Sequence, residues 1–240
     1  SWFVDGLGRK YSIGLGGLVF AIGALLQAAS EHLAQFLIGR FVGGLAIGVM
    51  CTVVPIYQSE VSPKETRGLN GMSFQLMIVL GILLAAIFDQ AMNDVHNGWR
   101  IAIWPQVGFG VLLVLICPFM HESPRYLMSR NKPQEAKKVL YKLRKGAPKD
   151  YVDDEWQDIQ DLHEQEAANK SEWKGLFQPY VWRVVLIGMT IAFGQQLLGI
   201  NVFMYYGGKL GAVFGADSFT VQIIINATNA VFVIPAMFLV

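Results

Sequence analysis

Charge is scarce in this 240-residue chain: 15% of the residues are Asp, Glu, Lys or Arg, against roughly a quarter in an ordinary soluble domain. The basic and acidic side chains nearly cancel, leaving a formal net charge of +1. There is no single-sign field to attract nucleic acid or an acidic partner, and nucleic-acid binding is set aside. Cysteine is equally rare. Cys51 and Cys117 both sit inside apolar runs, which argues against a disulfide framework or a zinc site. No paired His and carboxylate, no Gly-x-Ser-x-Gly and no metal-ligand spacing occurs within an apolar run, so neither enzyme chemistry nor a cofactor or metal is expected. The chain lacks an initial Met, opens in the tail of an apolar stretch and stops inside another. It reads as a fragment, and the missing signal peptide carries no weight.

What the sequence does have is apolar length: 53% of its residues are hydrophobic. A helix needs about 20 mostly apolar residues to cross the roughly 30 Å hydrocarbon core. That pattern occurs six times, over approximately residues 11–30, 36–58, 69–88, 101–120, 184–208 and 219–240. The expectation is an all-α, multi-pass integral membrane protein. Glycines such as Gly43, Gly44 and Gly48 in the second run would let helices approach closely. Sixteen of the nineteen Lys and Arg fall on one side of this layout, namely Arg9, Lys10, Lys64, Arg67, eleven between Arg125 and Lys174, and Arg183. The positive-inside rule makes that side, with the 125–180 segment, cytoplasmic. Within that segment Pro133 stands at a first helical position. Ala136, Val139, Leu140 and Leu143 follow at helical spacing, and a second helix is expected over 151–168. Its charges suit the solvated faces of small helices better than a partner-binding module.

Polar side chains inside a bilayer are costly and mark either a functional site or a buried structural bond. Gln195, Gln196 and Asn201 share one run, with Gly199 between the amides and Tyr205 and Tyr206 after them. On an unbroken helix Gln195 and Asn201 would point about 120° apart. Unwinding near Gly199 would turn both toward one cavity, as broken helices do in transporters. Gln222, Asn226 and Asn229 lie at i, i+4 and i+7 on one face, and Gln75, Ile78 and Ile82 share another. Amides both donate and accept, which the hydroxyls of a neutral polyol require. Any single amide is equally well explained by an interhelical hydrogen bond, and it is the clustering that favours a ligand. Arg40 is a charge within a run, better suited to structure or gating than to ligand contact.

The run ends carry Asp5, Arg9 and Lys10, then Glu60 and Arg67, then Glu122 and Arg125. Such charges can pair in one conformation and part in another, which is a basis for a gate. The alternative is ordinary snorkelling and topology-setting charge. Ser62-Pro63-Lys64-Glu65 has capping-box form, and Ser123-Pro124 puts Pro at a first helical position.

Five segments carry a family resemblance: Asp5-Gly6-Leu7-Gly8-Arg9-Lys10; Gly39-Arg40-Phe41 with Gly44; Pro55-Ile56-Tyr57-Gln58-Ser59-Glu60 followed by Arg67-Gly68; Glu122-Ser123-Pro124-Arg125; and the stretch from Gln195 to Asn201 that ends in Tyr205-Tyr206. In them the chain resembles the sugar porter family of the major facilitator superfamily. The resemblance implies that the six runs are helices three to eight of twelve. Residues 1–124 would belong to an N-terminal transmembrane bundle, 125–180 to a cytoplasmic linker with short helices, and 181–240 to the start of a C-terminal bundle. It further implies alternating-access transport of a monosaccharide, a hexose first, by uniport or proton symport, at the plasma membrane. By the same resemblance Gln75, Gln195, Gln196, Asn201 and Asn229 bind sugar beside Ile78 and Ile82, and Tyr205 and Tyr206 form an outer gate. Arg9, Glu60, Arg67, Glu122 and Arg125 form a cytoplasmic gate, to which Asp5 and Arg40 are added. Leu198 replaces the Ser of many glucose carriers and leaves the sugar open. A non-transporting sugar receptor and a carrier of another polyol or an organic acid are the alternatives.

Overall fold

The computed structural model describes residues 6–93, 95–168, 179–213, 215 and 217–238. Asp5 and residues 169–178 lie outside them. Among the described residues there is no strand. Four long helices come first: α1 (Arg9–Ala28), α2 (Leu33–Val61), α3 (Arg67–Met92) and α4 (Gly98–Ile116). Single 3-10 turns precede α3 (Lys64–Thr66) and follow α4 (Cys117–Phe119). Then come α5 (Pro124–Ser129), α6 (Pro133–Leu143) and α7 (Lys149–Ala168), and finally α8 (Pro179–Leu197), α9 (Ile200–Val213) and α10 (Ser218–Phe238).

Among the described residues, five stretches are individually long and apolar enough to cross a membrane: Arg9–Ala28, Leu33–Val61, Lys64–Met92, Gly98–Phe119 and Ser218–Met237. The remaining apolar run is divided. α8 ends at Leu197, Gly199 takes φ 67°, and α9 begins at Ile200. Glycine enters that left-handed region without a Cβ penalty, which is why the chain can turn there and resume a helix at once. The unwinding anticipated near Gly199 is therefore present.

α1 is the most enclosed of the spans, packed against α2 on one side and α4 on the other. Missing side chains make this possible. A Cβ at Gly23 would stand 2.6 Å from Gly43 N, one at Gly39 2.8 Å from Gly23 O, and one at Gly110 2.8 Å from Ala21 Cβ. Gly44 and Gly48 face open space, so the close approach expected of all three glycines in α2 belongs to Gly43, with Gly39 one turn before it. Most other large apolar side chains on the spans face outward, as on Phe41 and Phe109, where lipid rather than water is the matching solvent.

The α5–α7 unit closes its own core from Leu127, Met128, Ala136, Leu140, Val152, Trp156 and Ile159. Pro124 opens α5, where Ser123 Oγ caps it by accepting from Tyr126 N at 3.4 Å, and Pro133 opens α6. α7 starts at Lys149, two residues earlier than its periodicity suggests. The capping box at Ser62 does not form. The Ser62 hydroxyl turns back to Gln58 O and accepts from Asn70 Nδ2 at 2.7 Å, leaving Pro63 as the residue before the turn.

Candidate functional site

The end of the bundle that carries most of the basic residues is organised around the start of α1. Gly8 precedes the helix at φ 92°, ψ 164°. Glu122, far along the chain, places Oε1 at the helix start, where it accepts from Arg9 N at 3.0 Å, Lys10 N at 3.2 Å and Ser123 N at 3.1 Å. A carboxylate suits the positive end of a helix dipole and satisfies two amides that have no intrahelical partner. Arg9 reaches the other way. Its Nε and Nη2 donate to Glu60 Oε2 and Oε1 at 3.1 and 3.0 Å, a forked pair between α1 and the end of α2. Both side chains are largely buried, at 14% and 10% exposure. The ring of Tyr126 lies under the Arg9 guanidinium, 5.2 Å from its centroid. Tyr57 OH, one turn before Glu60, donates to His121 O at 2.8 Å.

Arg125 is exposed. With Arg9 and Glu60 it borders a cavity of about 140 Å³, closed from α7 by Ile159, Leu162 and His163. Arg67 is not drawn in: its Nε is buried without a hydrogen-bond partner at the first residue of α3. Arg40 belongs elsewhere, against its placement with the cytoplasmic gate. It lies twenty residues before Glu60 on the same helix, about 30 Å away at 1.5 Å per residue. There Nη1 lies 3.5 Å from Gln27 Oε1, and Arg40 shares a cavity of about 560 Å³ with Phe36, Asp89, Asn93, Trp99 and Gln106.

Three polar contacts that motif reasoning did not single out join α6 and α7 to the turn between α2 and α3. Arg144 donates from Nη1 to Val61 O at 2.9 Å, while Nε and Nη2 grip Glu155 at 2.8 and 2.7 Å. Lys64 pairs with Asp158, and Tyr151 OH donates to Glu65 at 2.9 Å. Within the unit, Tyr141 OH donates to Asp153 at 2.7 Å and Lys137 lies 3.3 Å from the same carboxylate. The Tyr141 hydroxyl and the Lys137 ammonium hold the Asp153 carboxyl below the ordinary carboxylate range, and the same bond raises the Tyr141 hydroxyl.

The amides lie on three helices. Gln195 and Gln196 are exposed on the last turn of α8, just before the break. Gln75, Ile78 and Ile82 are exposed along one face of α3, and α10 is the helix that packs against both α3 and α9. Asn229 on α10 is half-buried, with Nδ2 4.0 Å from Met204 Sδ. The Asn201 and Tyr205 side chains lie outside the described set, and Tyr206 is 56% exposed. Gln222 and Asn226, on the same face as Asn229, are engaged differently. Gln222 bonds the backbone of α9, and Asn226 is 1% exposed with Oδ1 unpartnered. Among the described residues no group of His, Cys, Asp or Glu side chains is arranged to hold a metal ion.

A sequence profile of the family described as sugar (and other) transporters matches residues 1–240. The glucose transporter GlcP of Staphylococcus epidermidis is 36% identical over 240 residues, covering 98% of this chain and 52% of that protein. The H(+)/hexose cotransporter 1 of Parachlorella kessleri is 33% identical over 218 residues, covering 90% of this chain and 40% of that one. The solved structure of the major facilitator proton:xylose symporter XylE bound to 6-bromo-6-deoxy-D-glucose superposes with a TM-score of 0.88 at 23% identity, over 99% of this chain and 54% of that structure's. The chain thus spans about half the length of the relatives it matches. Its motifs, its end-to-end profile match and its helical fold make it a member of the sugar (and other) transporter family, an integral membrane protein with the major facilitator fold.

Proposed function

We propose that the protein to which this chain belongs carries a monosaccharide, a hexose in the first instance, across the plasma membrane by alternating access. The observation that carries this reading is the break at Gly199, which interrupts an apolar run between Gln195–Gln196 and Asn201. Interrupting a span frees backbone polar groups that the bilayer cannot satisfy, so a break is tolerated only where it faces protein or a hydrated cavity. Amides at such a break are placed for hydroxyls near the midplane. On this reading Gln75, Gln195, Gln196, Asn201 and Asn229 bind the sugar, with Ile78 and Ile82 as apolar neighbours, and Tyr205 and Tyr206 close over it from outside.

The basic end is cytoplasmic on this reading, in keeping with the positive-inside rule. Residues 1–124 belong to the N-terminal bundle, 125–180 to the linker, and 181–240 open the C-terminal bundle. Arg9, Glu60, Glu122 and Arg125 brace the cytoplasmic gate, Arg67 joins it only when the bundles close, and Arg40 acts at the far end of α2. Selectivity rests on amide hydrogen bonds, because a site built to pair a hydroxyl rejects analogues that lack it. Protons are the second substrate to test, since two of the similar proteins are named as proton-coupled carriers.

The deciding experiment is uptake of labelled glucose by the full-length protein in cells without their own hexose carriers, with and without a protonophore. Saturable uptake supports the reading, and its loss with protonophore, metabolic effects controlled, assigns symport over uniport. Protein that reaches the surface and takes up neither glucose nor other hexoses refutes it.

A further inference from the structure

Of the three amides on one face of α10, only Asn229 enters the proposed sugar site. Gln222 is used otherwise. Its Oε1 accepts from Gly208 N at 3.1 Å, and its Nε2 donates to Met204 O at 2.6 Å. Those two backbone groups are four residues apart on α9, the pair that an uninterrupted α-helix bonds to one another. One side chain of the neighbouring helix therefore holds both ends of a single helical rung. The residues that rung encloses are Tyr205, Tyr206 and Gly207.

The surroundings are tight on one side of α9 and loose on the other. A Cβ at Gly207 would collide with Ile225 Cδ1, one at Gly208 would stand 2.6 Å from Ser218 O, and one at Gly211 2.6 Å from Val221 Cγ2. α9 therefore presents a line of glycines on which the Val221 and Ile225 side chains and the Ser218 carbonyl of the first half of α10 rest directly. Toward α8, α9 is joined in sequence through Leu198 and Gly199 alone, and a Cβ at Gly199 would meet nothing within 4 Å.

We propose that Gln222 is a positioning residue: it clasps α9 to α10, so that the segment bearing Tyr205 and Tyr206 moves together with α10 and swings about Gly199 instead of bending within itself. The clasp needs an amide, because one group must accept from Gly208 N while the other donates to Met204 O. A carboxylate keeps the first bond and loses the second, and leucine loses both. The role in the transport cycle rests on the function proposed above, whereas the clasp itself does not.

The test compares wild type, Gln222→Leu and Gln222→Glu in the full-length protein by backbone hydrogen exchange in micelles without sugar, followed by initial-rate uptake. In Gln222→Leu the Gly208 amide exchanges roughly tenfold faster, while residues 223–234 keep their protection. In Gln222→Glu the Gly208 amide stays close to wild type, because its acceptor remains. Maximal uptake falls several-fold in Gln222→Leu, and the half-saturating sugar concentration moves by less than about twofold, the signature of a step after binding. The clasp is overturned if Gly208 exchange is unchanged in Gln222→Leu, if both variants accelerate it equally, or if protection is lost along the whole of α10. Exchange is read without sugar, so the clasp and the sugar-transport reading fail separately.

Discussion

Replacing Gly8 with alanine tests the construction of the basic end at its tightest point. Gly8 occupies φ 92°, ψ 164°, where a residue with a side chain is strained by about 1–3 kcal/mol. The added Cβ would also stand 2.5 Å from Glu122 Oε2 and 2.9 Å from Tyr126 Cε1, so the carboxylate has to leave. Leaving breaks its three N–H bonds, worth about 1 kcal/mol net each. It also removes an anion from a helix N-terminus, worth about 0.5 kcal/mol. Gly8→Ala should therefore destabilise by about 5 kcal/mol, in the range that only a few mechanisms reach. Glu122→Ala loses the bonds without the strain, about 3 kcal/mol. In that background Gly8→Ala should cost only the backbone term, about 2 kcal/mol, which makes the pair coupled by about 3 kcal/mol in a double-mutant cycle. The assay is equilibrium unfolding of the purified full-length protein in mixed micelles, followed by tryptophan fluorescence. A cost below about 1 kcal/mol for Gly8→Ala, or simple additivity with Glu122→Ala, would refute the reasoning.

Three other outcomes follow from the same geometry. Gln195→Ala should weaken equilibrium sugar binding roughly tenfold or more while expression and thermal stability stay normal, because it removes a hydrogen bond at an exposed position; unchanged affinity removes Gln195 from the site. Glu60→Gln replaces the forked charged pair with Arg9 by a neutral one. It should slow net uptake several-fold with sugar affinity held within about twofold, and an unaltered uptake rate would sink the gate role. The Tyr141–Asp153 bond sets a pH window. Asp153 is depressed in the folded protein, so its contribution is present above the ordinary aspartate value of about 3.9 and is lost as pH falls through the lower folded value. Tyr141 is raised, so its contribution is present below its ordinary value of about 10 and is lost as pH rises through the higher folded one. The stability difference between wild type and Tyr141→Phe should be flat at neutral pH and shrink at both extremes; a difference that varies between pH of about 5 and 9 contradicts this.

Hydrophobic length is a local property, which is why five of the six spans could be read directly from the chain with their ends within a few residues of the observed helices, while the run over 184–208 is divided between two helices. The break at Gly199 was signalled by an equally local cue, amides on either side of a glycine within one apolar run, although the amides of α10 sit in an unbroken helix and show that amides alone do not force a break. Register between helices is not local. Glycines recur in every run, and nothing in one strand of sequence says that Gly23, Gly39 and Gly43 meet while Gly44 and Gly48 do not. Glu122 could be recognised as a charge at a run end, but its role as a cap for α1 spans 113 residues. Arg40 was misplaced for a reason that helix length alone corrects, since a residue eight positions into α2 sits at the end away from Glu60. Arg144 left a signal that went unused. It continues the buried stripe of Ala136 and Leu140 at four-residue spacing, and a charge on a buried stripe must find partners.

Those partners bear on how a gate at this end can work. The α5–α7 unit is coherent because its own apolar core holds it together. Its links to the α2–α3 turn are polar: Arg144 to Val61 O, Lys64 to Asp158 and Tyr151 to Glu65. Lys64 and Asp158 are about half exposed, at 58% and 48%, and exposed pairs of that kind contribute about 0–1 kcal/mol. Arg144 is the buried exception, yet Glu155 on its own unit neutralises it whether or not Val61 O is in reach. Undocking therefore strands no charge, and the larger penalty of an unpaired buried ion is avoided. The unit is held more firmly at the start of α1, where Tyr126 OH and Arg130 Nη2 donate to Gly6 O at 3.2 and 2.6 Å and the Tyr126 ring lies under Arg9, so the contacts to the α2–α3 turn are the ones that part at the lower cost.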